Sequence, residues 1–135
     1  KSLANIVTIK KDNVMEKMEN EIINEKQKKA VKIIKNLLDE MHKDIQQLMK
    51  FETLDKGTEK IKSKSLRIAK IAIVLQKSLD REKGGEVASN LDHLYKHIRF
   101  AVQRVMDEHD FSYLTSAEKV TAEINKGWEK ISAAA

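Results

Sequence analysis

The sequence predicts an all-α protein, an antiparallel up-down four-helix bundle with a long first helix. Three observations predict it. The 135 residues hold no proline, four glycines and 4% aromatic residues against 35% charged ones, which is poor material for strands and turns. Apolar residues recur three and four apart along nearly the whole chain, the spacing of one face of a helix. Gly57 and the pair Gly84-Gly85 fall between these stretches rather than inside them. A chain of this length makes one domain with a real core.

Residues 1–13 (KSLANIVTIKKDN) show no helical period and read as a loose arm. The start at Lys1 rather than Met suggests a trimmed chain, and Ala133-Ala134-Ala135 has the look of a vector remnant. The single bundle domain is expected over 14–132. From about Val14 to Phe51, Ile23, Ala30, Ile34, Leu37, Met41 and Leu48 lie within roughly 40° of one another on a helical wheel. Val31, Leu38, Ile45 and Met49 widen that stripe. A single helix of this span is ~55 Å long, so its first third is expected to overhang the bundle or to pack on something else.

Gly57-Thr58 reads as a C′ glycine followed by an N-cap. Helix two, about Thr58 to Ser78, puts Ile61, Ile68, Ala72, Leu75 and Leu79 on one seam, with Leu66 and Ile73 nearly opposite. A helix apolar on two sides is expected to be the central one, buried by neighbours on both. That helix ends near Leu79, and a charged turn closes on Gly84-Gly85, because glycine reaches positive φ without a Cβ penalty. That makes a tight αα-hairpin. Helix three, Glu86 to about Asp107, buries Val87, Leu91, Leu94, Tyr95, Ile98, Val102 and Val105. Phe100 points the other way with His93, His97 and Arg104, and Arg104 is placed to lie over its ring. Asp110 reads as the N-cap of helix four, with Thr115-x-x-Glu118 as a later capping box. The stripe of helix four is Tyr113, Ala117, Val120, Ile124, Trp128 and Ile131, with the single tryptophan as a core anchor.

The chain has no cysteine, hence no disulfide and no thiolate chemistry, which fits a cytoplasmic protein. It has neither a run long enough to span a membrane nor a secretory signal peptide. His93 and His97 stand four apart, as metal-binding pairs on helices do, but no third or fourth ligand accompanies them. No acid stands on an apolar stripe, where burial would raise its pKa for proton transfer. Phosphate-loop patterns are absent. The reading assigns no catalytic residue, metal or cofactor. The net charge of +5 admits nucleic acid or an anionic surface, through Lys26, Lys28, Lys29, Lys32 and Lys35. The lysines alternate with glutamates, though, and no aromatic is interleaved with them, which disfavours nucleic acid. A third reading is a structural module that oligomerises through its overhanging first helix.

The run from Ser78 to Leu91 (SLDREKGGEVASNL), followed by Leu94-Tyr95, closely resembles the hairpin of the FliS family of flagellar secretion chaperones. Trp128 stands where that family carries a tryptophan in its last helix. Asn36-Leu37-Leu38-Asp39-Glu40 falls where the family has Met-Leu-Tyr-Asp-Gly. The resemblance covers about Leu37 to Ile131. Leu38 and Glu40 depart from it, as do the charged extension of the first helix and the lack of a tyrosine-bearing N-terminal segment. The resemblance implies a cytoplasmic, non-enzymatic export chaperone. Its partner would be the disordered C-terminal segment of flagellin, which turns helical along hydrophobic grooves and is thereby kept from premature assembly. A co-chaperone of that fold would bind the FliS chaperone itself. The candidate contact residues are the apolar or aromatic positions off the main seams and their neighbours: Leu66 and Ile73, and Phe100 with His97 and Arg104.

Overall fold

In the computed structural model the backbone is described for residues 17–134 and the side chains for 25–129. Within that range there are four α-helices, α1 (Lys17–Met49), α2 (Glu59–Lys77), α3 (Arg81–Glu108) and α4 (Leu114–Ala134), with a short 3₁₀ turn at Lys50–Thr53. The expected arm at 1–13 lies outside the described residues. α4 runs on into the alanine tail as far as Ala134.

Polar pairs at the helix flanks show that every neighbouring pair is antiparallel. On α1, Asp39 accepts from Asn125 at 2.9 Å, Lys35 lies 4.0 Å from Glu129, and His42 pairs with Glu118, all on α4. Asp44 meets Lys64 at 3.2 Å and Arg67 at 3.0 Å on α2. Gln76 of α2 donates to Asp92 of α3 at 3.0 Å, and His97 of α3 lies 2.9 Å from Ser116 of α4. The up-down bundle expected from the sequence is therefore the one observed.

The core seam of α1 is Val31, Ile34, Leu38, Met41, Ile45 and Leu48, all buried. Its 3-4-3-4-3 spacing is that of helices packed at a shallow angle. The seam is thus rotated from the expected stripe. Leu38 sits at its centre, while Ala30, Leu37 and Met49 flank it half-buried. The Lys35–Glu129 and Glu40–Arg67 registers bring the ends of α4 and α2 level with about residue 30 of α1. The helix from Lys17 to that level, ~20 Å long, projects past the bundle, and none of residues 25–30 is buried.

α2 is not buried on two sides. Its inner seam matches the expected one, but Leu66 is 42% exposed, Val74 is exposed and Ile73 is half-buried. Two neighbours, α1 and α3, cover one broad side of α2 and leave the other to solvent. Gly57 does adopt positive φ, 82°, although it lies in the loop before α2 rather than at the end of α1. Thr58 occupies the N-cap position without capping, since its hydroxyl donates back to the Asp55 carbonyl.

The hairpin turn lies upstream of its expected place. α2 ends at Lys77, and Asp80 caps α3 by accepting from the Lys83 N–H at 3.0 Å. Gly84 is buried and closes the first helical turn, its N–H donating to the Asp80 carbonyl at 2.8 Å. Gly85 alone breaks the helix, at φ 51° and ψ −126°, and α3 resumes beyond that kink. A Cβ at Gly85 meets nothing within 4 Å, so a substitution there is strained by the backbone alone. Gly85→Val is expected to cost on the order of 1–2 kcal/mol, measured by urea unfolding. An unchanged midpoint would remove the strain argument.

α3 ends on His109, which is left-handed at φ 54°, ψ 33°. The His109 N–H donates to the Val105 carbonyl, the 5→1 bond of an αL closure without glycine, and the Asp110 N–H donates to the Arg104 carbonyl.

Candidate partner-binding surface

The exposed aromatic residues gather where α3 meets the start of α4. Asp110 accepts from both the N–H and the hydroxyl of Ser112, at 2.9 and 2.6 Å, forming an Asx turn ahead of α4. It is therefore not the helix N-cap, and Glu118 reaches His42 of α1. Because α4 begins only at Leu114, Tyr113 lies before the helical register. Leu114 and Phe111 take the buried places, and Tyr113 is 38% exposed. The expected burial of Tyr113 is corrected by this start.

Phe100 of α3 is 47% exposed, and Tyr113 meets it edge-on, with centroids 5.0 Å apart at 74°. The His97 ring stacks beside Phe100 at 6.4 Å. The Arg104 guanidinium lies 5.8 Å from the Tyr113 centroid, so the cation sits over tyrosine rather than over Phe100 as expected. Arg104 is held by Asp110 at 3.0 Å and by Glu108. The hydrogen bond that Arg104 donates to Asp110 is the main cause that raises the Arg104 pKa. Hydrogen bonds from Ser112, and then from Arg104, lower that of Asp110 to about 2. The result is an aromatic pair on a charged, fixed base.

The candidate residues form two patches. Arg99, next to Phe100, donates to Gln76 of α2 at 2.8 Å and so occupies the α2 side of α3. Phe100 is turned ~100° from it, toward α4. Leu66 and Ile73 lie on α2, apart from the His97, Phe100 and Arg104 group. Tyr113 belongs with the second patch and was missed by the sequence reading, as were Ile33 and Val74 among the exposed apolar residues. An open cleft of about 430 Å³ between the end of α1 and the start of α2 is lined by Gln47, Phe51, Glu59, Lys60, Ser63 and Lys64, none of them a predicted site residue.

Two acids are buried that the sequence reading placed outside the apolar faces, Asp44 and Asp92. Each stands on the flank of a seam; Asp44 is reached by Lys64 and Arg67 of α2, and Asp92 by Arg81 and Lys96 of its own helix and by Gln76 of α2. Asp92 accepts from Gln76, from Arg81 at 2.9 Å and from Lys96 at 3.0 Å. The Gln76 hydrogen bond first, then those of Lys96 and Arg81, hold its carboxyl well below the usual carboxylate range despite burial. Burial here does not make a proton-transfer acid. An Asp92 followed four residues later by Lys96 was the only local signal of it.

Among the described residues no helix is long and apolar enough to cross a membrane. The sequence profile of the family described as "Flagellar protein FliS" matches residues 16–135. The flagellar secretion chaperone FliSB of Pseudomonas aeruginosa is 36% identical over 77 residues, covering 55% of this chain and 61% of the relative. The chain thus spans about three-fifths of the length of that curated relative. The matching profile takes in all four helices and the Asp80–Gly85 hairpin, and the chain belongs to the FliS family.

Proposed function

We propose that this chain is a non-enzymatic flagellar export chaperone that acts in the cytoplasm and holds a flagellar subunit segment against its helices until secretion. Family membership supports the chaperone role, and the relative from Pseudomonas aeruginosa carries that role in its name. The observation that carries the surface is Phe100 with Tyr113, two aromatic rings left half in water on a base fixed by Arg104 and Asp110. Tyrosine and arginine are enriched among the residues that carry binding energy, and an amphipathic helix docks its apolar face on such a surface. The proposed occupant is the disordered C-terminal segment of flagellin, which would order on binding, limiting affinity and permitting release. Leu66 and Ile73 on α2 offer it a second contact, as a long segment wrapping several helices would need.

The test is affinity for the flagellin C-terminal segment by calorimetry, with melting temperature measured beside it. Phe100→Ala is expected to weaken binding by ~5–30-fold, about 1–2 kcal/mol, and to leave the melting temperature unchanged. Leu66→Ala and Ile73→Ala should weaken it less. Binding to the FliS chaperone and not to flagellin would assign the co-chaperone role. Variants that lose binding only in step with stability would show that these residues are not the site.

A further inference from the structure

Charge is divided between the two halves of the bundle. Residues 26–77, which take in α1 from Lys26 onward and all of α2, hold thirteen lysines and one arginine against six acids, a balance of +8. Residues 78–129, which take in α3 and most of α4, hold seven bases against ten acids, a balance of −3. The exposed aromatic residues Phe100 and Tyr113 belong to the acidic half.

An apolar pair stands on the border between α1 and α2. Glu40 and Arg67 meet across that border at 3.5 Å. One heptad away on the same two flanks, with only ~20° of drift, come Ile33 and Val74, which the antiparallel register sets level. A heptad in the other direction brings Gln47 and Lys60 together, and both line the open cleft described above. Ile33 is 58% exposed and Val74 50%, so the bundle leaves half of each in water.

Free cations surround the pair. Lys26 and Lys29 precede Ile33 by seven and four residues, and Lys70 and Lys77 flank Val74 by four and three, spacings that keep each lysine on its neighbour's side of the helix. All four are exposed, and none forms an ion pair among the described residues. Of the exposed acids described on the two helices, Glu25 and Glu40 are answered by Lys28 and Arg67, and Glu59 stands at the far end of α2.

We propose that this α1–α2 face docks on a membrane surface rich in anionic lipid, with Ile33 and Val74 entering the headgroup layer and the four lysines reaching lipid phosphates. An interfacial surface is built this way, apolar in the middle and cationic at its edges, with the methylene stems of the lysines extending the apolar strip. Duplex nucleic acid would use the lysines but gain nothing from two aliphatic side chains. A second copy of the same face would set lysine on lysine. Docked on lipid, the bundle turns its acidic half away, and the Phe100–Tyr113 patch stays free for a secretion partner.

The test is co-sedimentation of the full chain with vesicles of phosphatidylglycerol and phosphatidylcholine, and with vesicles of phosphatidylcholine alone. Binding is expected to the mixed vesicles only, and should weaken as salt is raised. A lysine near an anionic surface is worth about fivefold in affinity, so Lys70→Gln with Lys77→Gln should weaken binding ~25-fold. Lys119→Gln with Lys126→Gln removes the same charge from exposed positions of α4 and should change binding by less than about twofold. Ile33→Ser with Val74→Ser keeps the charge and should weaken binding about tenfold. All these positions are exposed, so melting temperatures should not move. Failure to bind the mixed vesicles overturns the proposal, as does equal binding to both kinds or an equal response to the α2 and α4 lysine changes. A chain that holds duplex DNA as tightly as the mixed vesicles and ignores the serine changes is a general polyanion binder, which also overturns it.

Discussion

Replacing Trp128 by alanine is expected to lower the stability of the bundle by about 3–5 kcal/mol, the range for truncating a buried aromatic residue. The indole is 1% exposed and belongs to one continuous core with Val31, Leu38, Ile68 and Tyr95. No single smaller side chain fills the space it leaves. Domains of this size are stable by only ~5–15 kcal/mol, so the thermal midpoint should fall by on the order of 10–20 °C. Trp128→Phe should cost much less, since it keeps a ring and deletes an indole N–H that has no hydrogen-bond partner among the described residues. The native emission of Trp128 should be blue-shifted and move to the red on unfolding. An emission maximum like that of tryptophan in water would contradict the packing of α4.

Asp92→Ala is the second large effect, expected at about 2–3 kcal/mol near pH 7. It strips the acceptor from Gln76, Arg81 and Lys96 at once. The loss stays below the ~3–5 kcal/mol of a fully buried pair because the two bases reach solvent. The sign of its pH dependence follows from the lowered carboxyl pKa of Asp92. Its stabilisation is complete above the unfolded pKa of about 3.9 and is lost as pH falls toward the lower folded value. Asp110, held near 2, adds to the same acid loss. Urea unfolding of parent and variant at pH 7, 4 and 2.5 should show the gap between them closing only at the lowest pH. A constant gap would mean that Asp92 acts through packing rather than charge.

Apolar spacing revealed the four helices because a 3-4 repeat buries side chains whatever the partner. The antiparallel order followed from short connections. What spacing did not reveal depends on other helices. The α1 stripe spans enough of the wheel that its centre is set only when α2 and α4 dock on its flanks, so Leu38, read as a widening residue, lies at the middle. The Gly84-Gly85 pair marked the hairpin, but the Asp80 cap starts α3 before it, and Gly85 became a kink. Tyr113 was misplaced because the Asx turn of Asp110 delays α4 to Leu114. Asp44 and Asp92 look solvated in sequence, since Lys64 and Arg67, which meet Asp44, and Gln76, which donates to Asp92, all come from α2. In the candidate site, Phe100 was legible as an aromatic residue on a polar face. Its pairing with Tyr113 required the α3–α4 turn.

The pairing of α1 with α4 has a consequence for synthesis. Asp39 and Asn125 are 86 residues apart in the chain, and His42 and Glu118 are 76 apart. At a ribosomal rate of ~5–20 residues per second, α1 waits roughly 4–17 seconds for the helix that covers half of its seam. The α2–α3 hairpin closes locally in the meantime and can shield only the side of α1 that faces α2. During that interval Leu38, Met41 and Ile45 stand open on a nascent chain. The last helix to emerge is therefore the one that ends the exposure, and a ribosome stalled before Leu114 would leave a sticky three-helix intermediate.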